Sequence, residues 1–256
     1  MIPLDIVILA SGVLAAAASG VIGSLLVLRK MTLLSDALSH IALPGIALGL
    51  LFNVAPLLGG IAFLFIGAVL IWYIETKTRL AIESITGVLF VTALAIGALL
   101  IPQEEMLEAF FGSVQNITPF EAGLQAIGAI VILAVSLAYL KPLTLSSIAP
   151  DLSIASRVSR VKMELFLLVL IALTIAVGVS FVGVLLMSAL LIVPAVTAKN
   201  IAGSFKWFVG ISMMVAVFSL TTGLILGQTY GVNPGLATVL ISSFCFFLSF
   251  IFRRRS

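Results

Sequence analysis

MTLLSDALSHIALPGIALG, residues 31–49, decides how the rest of the chain is understood. It is an apolar run interrupted by one carboxylate, Asp36, and by the only histidine of the chain, His40. On a helix, residues four apart stand one turn above the other on the same face. A helix starting at Met31 carries His40 roughly 13 Å in, close to the middle of a ~30 Å hydrocarbon layer. An ionisable pair at that depth is costly and is by default a candidate functional site. Pro44 follows four residues on and has no N–H to offer the His40 carbonyl, while Gly45 lets other groups approach closely. Both are expected to line the same pathway.

Working outward, the 256 residues are 62% hydrophobic and only 9% charged. A soluble domain carries about a quarter charged residues, so the composition predicts an all-α polytopic membrane protein, a single transmembrane unit over residues 1–256. The net charge of +3 does not point to nucleic acid, because the basic residues fall in turns that face lipid headgroups. The first apolar run, Ile6–Leu28, has no basic n-region and is too long for a signal-peptide core, so it is read as a retained span. Cys245, the only cysteine, lies inside an apolar run as a small hydrophobe.

The apolar runs are Ile6–Leu28, Leu33–Phe52, Leu57–Ile74, Ile85–Ile101, Ala122–Leu140, Leu165–Ser180, Val182–Ala198, Trp207–Leu226 and Gly235–Phe252. They predict eight or nine spans; the short pair Leu165–Ser180 and Val182–Ala198 meets near Gly178 and Gly183, where a broken or half-length helix would leave eight. With nine spans and the N-terminus outside, all 13 Lys and Arg residues fall on the cytoplasmic side. The opposite side holds Asp5, Glu104, Glu105, Glu108 and Glu121. The expected setting is a bacterial-type inner membrane, with the C-terminus in the cytoplasm.

Two connections are long. The outer one, about 102–121, is acidic around an apolar centre, Leu107–Phe111. Three readings stand for it: a connector with a short interfacial helix, a docking surface for a delivery protein, or an electrostatic funnel for a cation. The inner one, about 141–164, contains Pro150-Asp151 as a helix start, with Leu152, Ile154, Ala155 and Val158 on one apolar face beside Arg157 and Arg160. Such a helix either lies on the headgroups or docks on a cytoplasmic partner. Four spans precede the Ala122–Leu140 helix and four follow with opposite sense, the pattern of an inverted repeat around a central helix. Within it, Ser35–Gly45 corresponds to Ser188–Ala195, which places Ser188 and Pro194 opposite Asp36 and His40 on one pathway.

A carboxylate with an imidazole suits Zn²⁺, Mn²⁺ or Fe²⁺, and no cysteine is at hand for Cu(I). Two side chains do not saturate a divalent ion; a symmetric dimer with the site near its axis, added carbonyls or waters would complete it. Incomplete coordination suits a carrier, which has to release what it binds. The competing readings are structural, with Asp36 capping the helix start and His40 bonding a nearby carbonyl, or a proton relay through the pair. No phosphate-binding loop, HExxH or Ser-His-Asp pattern is present in the sequence.

The stretch LRKMTLLSDALSHIALPGIALG resembles the signature of the ABC-superfamily permeases that import zinc, manganese or iron. DALSHxxLPG is the specific part; IESITGVLF (82–90), FFGSVQNITPFE (110–121), FVGVLLMSALLIVPAVTA (181–198) and GVNPGLATVLISSFCFFLSF (231–250) extend the likeness over nearly the whole chain. The resemblance implies a membrane subunit of a binding-protein-dependent importer. It implies a homodimer working with two cytoplasmic ATPase subunits and an extracytoplasmic metal-binding protein. Asp36 and His40 match the family's intramembrane metal ligands, no cofactor is held permanently, and Asp151–Ser159 falls where the family places its coupling helix. The chain departs from the family at Ser113, where an acidic residue is frequent, and near Ser159, where a glycine is frequent. A proton-coupled secondary metal carrier is the alternative, since it too needs no nucleotide motif.

Overall fold

The computed structural model describes residues 6–78, 80–101, 103–112, 117–148 and 159–252. The helices run in the order α1 (Ile6–Arg29), α2 (Thr32–Leu51), α3 (Pro56–Thr78), α4 (Ile82–Leu100), α5 (Gln103–Phe111) and α6 (Pro119–Ala138). Then come α7 (Leu140–Ile148), α8 (Arg160–Val182), α9 (Val184–Ile201), α10 (Phe205–Tyr230) and α11 (Pro234–Ser249). Among the described residues eight of these, α1–α4, α6 and α8–α10, are long and apolar enough to cross a membrane. The chain is a multi-pass, all-helical membrane protein.

The short member is α11, not the pair flagged in the sequence. Its 16 residues reach about 24 Å at ~1.5 Å per residue. The pair α8 and α9 consists of two full helices of 23 and 18 residues. They meet at Gly183, which ends one helix and caps the next at φ 85°, a left-handed conformation that favours glycine. Gly178 lies inside α8 and does not break it. α8 also starts before its apolar run, at Arg160, with the Ser159 hydroxyl accepting from the Lys162 N–H. A charged first turn can leave the hydrocarbon and still be helix.

Burial sorts the spans. The apolar window of α2 is 72% buried and that of α4 only 22%, so α2 sits inside the bundle while α4 turns most of its side chains outward. α1 is also central; every residue from Ala15 to Val27 is buried, the small Ala15, Ala16, Ala18 and Gly20 among them. Small residues let helix backbones come close where lipid gives no hydrophobic drive. Several serines find carbonyls: Ser19 and Ser24 of α1 donate to carbonyls one turn back, and Ser212 of α10 donates across to the Gly20 carbonyl of α1 at 2.7 Å.

One end of the bundle gathers the described basic residues of the turns. There the Arg29 guanidinium donates to the Leu143 carbonyl and the Ser146 hydroxyl of α7, at 3.0 and 2.8 Å. Trp72 Nε1–H of α3 donates to the Val161 carbonyl at the start of α8. At the other end Thr118 and Glu121 form a reciprocal capping box that starts α6. At this same end α5 packs on the α8–α9 corner, and Asn233 donates to the Gly112 carbonyl. The inner connection therefore begins as helix, α7. The coupling residues expected there, Asp151, Leu152, Ile154, Ala155 and Arg157, lie outside the described residues, as do Asp5, Arg79, Ser113 and residues 253–255.

Candidate metal site in the second helix

The local sequence explains why α2 tolerates its polar residues. Ser35 donates to the Thr32 carbonyl and Ser39 to the Ser35 carbonyl, both at 2.8 Å, so neither hydroxyl is left bare in an apolar setting. Met31 occupies the N-cap with no side-chain bond. Asp36 is a full turn inside the helix and does not cap it, contrary to the capping alternative.

His40 is 3% exposed. Its Nδ1 lies 2.9 Å from the Asp36 backbone carbonyl and 3.8 Å from the Asp36 carboxylate Oδ1. A carbonyl only accepts, so Nδ1 carries the proton and a neutral ring keeps its lone pair at Nε2. The ring rests edge-on against Phe90 of α4, with centroids 4.7 Å apart and planes at 78°. Half of the structural alternative is thus realised, since the histidine does bond a nearby carbonyl. That bond also does what a metal-ligating histidine needs: it fixes the tautomer and leaves the other nitrogen as donor.

Asp36 differs sharply. Its side chain is 41% exposed, and its Oδ1 accepts from the Ser188 hydroxyl of α9 at 3.0 Å. The structure thereby brings together Asp36, His40 and Ser188, from the second helices of the two quartets. Pro44 and Pro194 are buried inside α2 and α9 respectively. Gly45 is placed otherwise than its neighbours suggest. A Cβ there would collide with the Gly59 carbonyl, and one on Gly59 with the Gly45 carbonyl, so the close approach it permits is that of α3. Among the described residues no group of three or more His, Cys, Asp or Glu side chains could hold a metal. Coordination by Asp36 and His40 therefore needs donors from outside the pair.

Two participants were not read from the sequence. Phe90 sits in an apolar run where one aromatic is indistinguishable from core. Gln125 of α6 was detectable as a lone amide in the apolar run Ala122–Leu140; it is 5% exposed and donates to the Ser180 hydroxyl at 3.0 Å.

Comparison with known proteins covers the whole of this architecture. The chain is similar to the high-affinity zinc uptake system membrane protein ZnuB of Haemophilus influenzae, 30% identical over 96% of this chain and 97% of that one. It is similar to the manganese transport system membrane protein MntC of Listeria monocytogenes, 28% identical over 91% of this chain and 85% of the relative. Among solved structures, PsaBC from Streptococcus pneumoniae in complex with Fab superposes with a TM-score of 0.84 at 27% identity, covering 95% of this chain and 89% of that one. The model of the ABC 3 transport family matches residues 4–253, spanning both quartets of helices and the Asp36–His40–Ser188 contact between them, and the chain belongs to that family.

Proposed function

We propose that this chain is the membrane-spanning subunit of a binding-protein-dependent ABC importer that carries a divalent transition metal, zinc, manganese or iron, into the cytoplasm. Zinc and manganese are favoured by the names of its relatives. The observation that carries the reading is the half-exposed Asp36 carboxylate, one turn from His40 on the deeply buried α2. Lipid cannot solvate a carboxylate at that depth, so this face meets water or a second copy of the chain. A two-fold axis beside Asp36 brings two Asp/His pairs together and supplies the missing donors. Asp36 binds through its free carboxylate oxygen and His40 through Nε2. Ser188 holds the carboxylate in place, and Pro44 and Pro194 shape the helices on which the site rides.

ATP hydrolysis belongs to two separate cytoplasmic subunits, contacted through residues 151–159 and the turns at the basic end. An extracytoplasmic metal-binding protein delivers the ion at the acidic end, and the N-terminus lies outside. The test is uptake in ATP-loaded vesicles holding the chain with its ATPase partner and delivery protein. Uptake that needs ATP and ignores an uncoupler supports the importer. Collapse with the uncoupler at constant ATP makes the chain a proton-coupled secondary carrier. Elemental analysis of the purified chain under competing zinc, manganese and iron identifies the cargo.

A further inference from the structure

A cavity of about 270 Å³ lies at the acidic end, between α2 and α3 on one side and α5, α6 and α8 on the other. Its walls are largely apolar, with Ile46 and Leu64 among them, and its polar groups are Glu105, Glu121, Gln125 and Ser180. The α2 residues that line it, Ala42, Ile46 and Leu50, follow one another every four positions. At about 100° per residue Ala42 and Ile46 stand roughly 120° and 80° round the helix from Asp36, and Leu50, though near its face, is about 21 Å further along the axis.

Three features of the cavity agree. First, among the described residues it is lined by two carboxylates and by no Lys, Arg or His. Glu121 Oε2 accepts from the Thr118 N–H and hydroxyl, both at 2.9 Å, which fixes that carboxylate in place. Second, Gln125 is 5% exposed, and its Nε2 donates to the Ser180 hydroxyl at 3.0 Å. Its Oε1 is buried with no hydrogen-bond partner. A buried amide oxygen left bare is costly, and an occupant that can be bound by oxygen relieves it. Third, at about 30 Å³ of liquid volume per water, the space admits a cation with a full shell of six waters, so the ion can arrive hydrated and exchange some waters for protein oxygens.

We propose that this cavity is a second cation site, separate from the Asp36–His40 pair, which holds a hard divalent cation through Glu105, Glu121 and the Gln125 carbonyl oxygen. The donor set is all oxygen. It therefore suits hard cations such as Mn²⁺, Mg²⁺ or Ca²⁺. With two carboxylates and retained waters the affinity falls at the weak end for such sites, on the order of 10⁻⁴–10⁻³ M. The site stands whether or not ATP drives the chain.

Mn²⁺ is the probe, because binding removes the six-line resonance of the free aquo ion. The full chain is purified in detergent as Asp36→Asn/His40→Asn, which takes the pair in α2 out of the measurement. At about 1 mM free Mn²⁺, the upper end of that range, this background is expected to bind about half to nine-tenths of an ion per chain, rising to one at saturation. Adding Glu121→Gln, which preserves the capping box, or Gln125→Leu, which removes the bare oxygen, is expected to weaken that binding at least tenfold. Excess Mg²⁺ or Ca²⁺ should displace the ion. Absence of bound Mn²⁺ in a folded background protein, or binding indifferent to both substitutions, overturns the proposal and leaves a water-filled or lipid-filled cavity. Loss of transport in the background variant with Mn²⁺ still bound separates this site from the fate of the importer reading.

Discussion

His40 has two nitrogens with two different duties. Nδ1 is tied to the Asp36 carbonyl, so only Nε2 is available to a cargo ion, and Asn at this position can keep the first bond while deleting the second. His40→Asn is therefore expected to leave the fold intact and lower metal affinity more than the ~10–100-fold typical of losing an outer-shell partner. Asp36→Asn is equally selective, since an amide oxygen still accepts from Ser188 while the charge is gone. Equilibrium metal binding and vesicle uptake check both. Wild-type uptake in either variant returns the pair to a structural role. At this scale the sequence was informative where chemistry is rare. A lone histidine four residues from an aspartate, in an apolar run, stands out. Phe90 did not, because one more aromatic in a membrane helix has no distinguishing pattern.

Between elements, contacts rather than composition set the geometry. α2 and α3 cross where Gly45 and Gly59 touch through their backbones. Gly45→Ala forces the helices apart and is expected to cost at least the ~1–3 kcal/mol of overpacking, seen as a lowered thermal unfolding midpoint. A methyl group on Gly87, in the exposed α4, would meet nothing within 4 Å. Gly87→Ala is expected to be neutral or to stabilise by up to ~1 kcal/mol through helix propensity. Equal losses at both positions would remove the crossing as the cause. The existence of the spans was legible because each helix must hide its backbone from lipid, and that demands long apolar runs. Their ends were less so. Hydropathy stops at Leu165, whereas α8 begins five residues earlier in a charged turn, and the glycine roles depend on which neighbour approaches.

For the molecule as a whole, the separation of basic and acidic ends fits a chain that meets different partners on its two sides. If residues 151–159 dock on the ATPase, Leu152→Glu or Ile154→Glu places an unpaired charge in that contact, costing about 3–5 kcal/mol. Co-purification of the partner should then fail while the chain remains folded. Undiminished co-purification would assign that segment to the headgroup surface.

The corner at Gly183 has a mechanical consequence. A Cβ on Gly112 would lie 2.7 Å from the Gly183 nitrogen, and one on Gly235 2.6 Å from the Val182 carbonyl oxygen. Three stretches of bare main chain thus bear on one another with no side chain between them to act as a cushion. Packed matter of this kind does not stretch by degrees; it holds or it parts. The tips of α5, α8, α9 and α11 are accordingly one bearing block, and any opening of the acidic end has to swing that block as a unit about the opposite end. Spin labels on Leu107 and Leu236 should keep their separation through a transport cycle, while the distance from either to Leu58 on α3 changes. A cycle that alters the first distance as much as the second would mean that the block itself hinges.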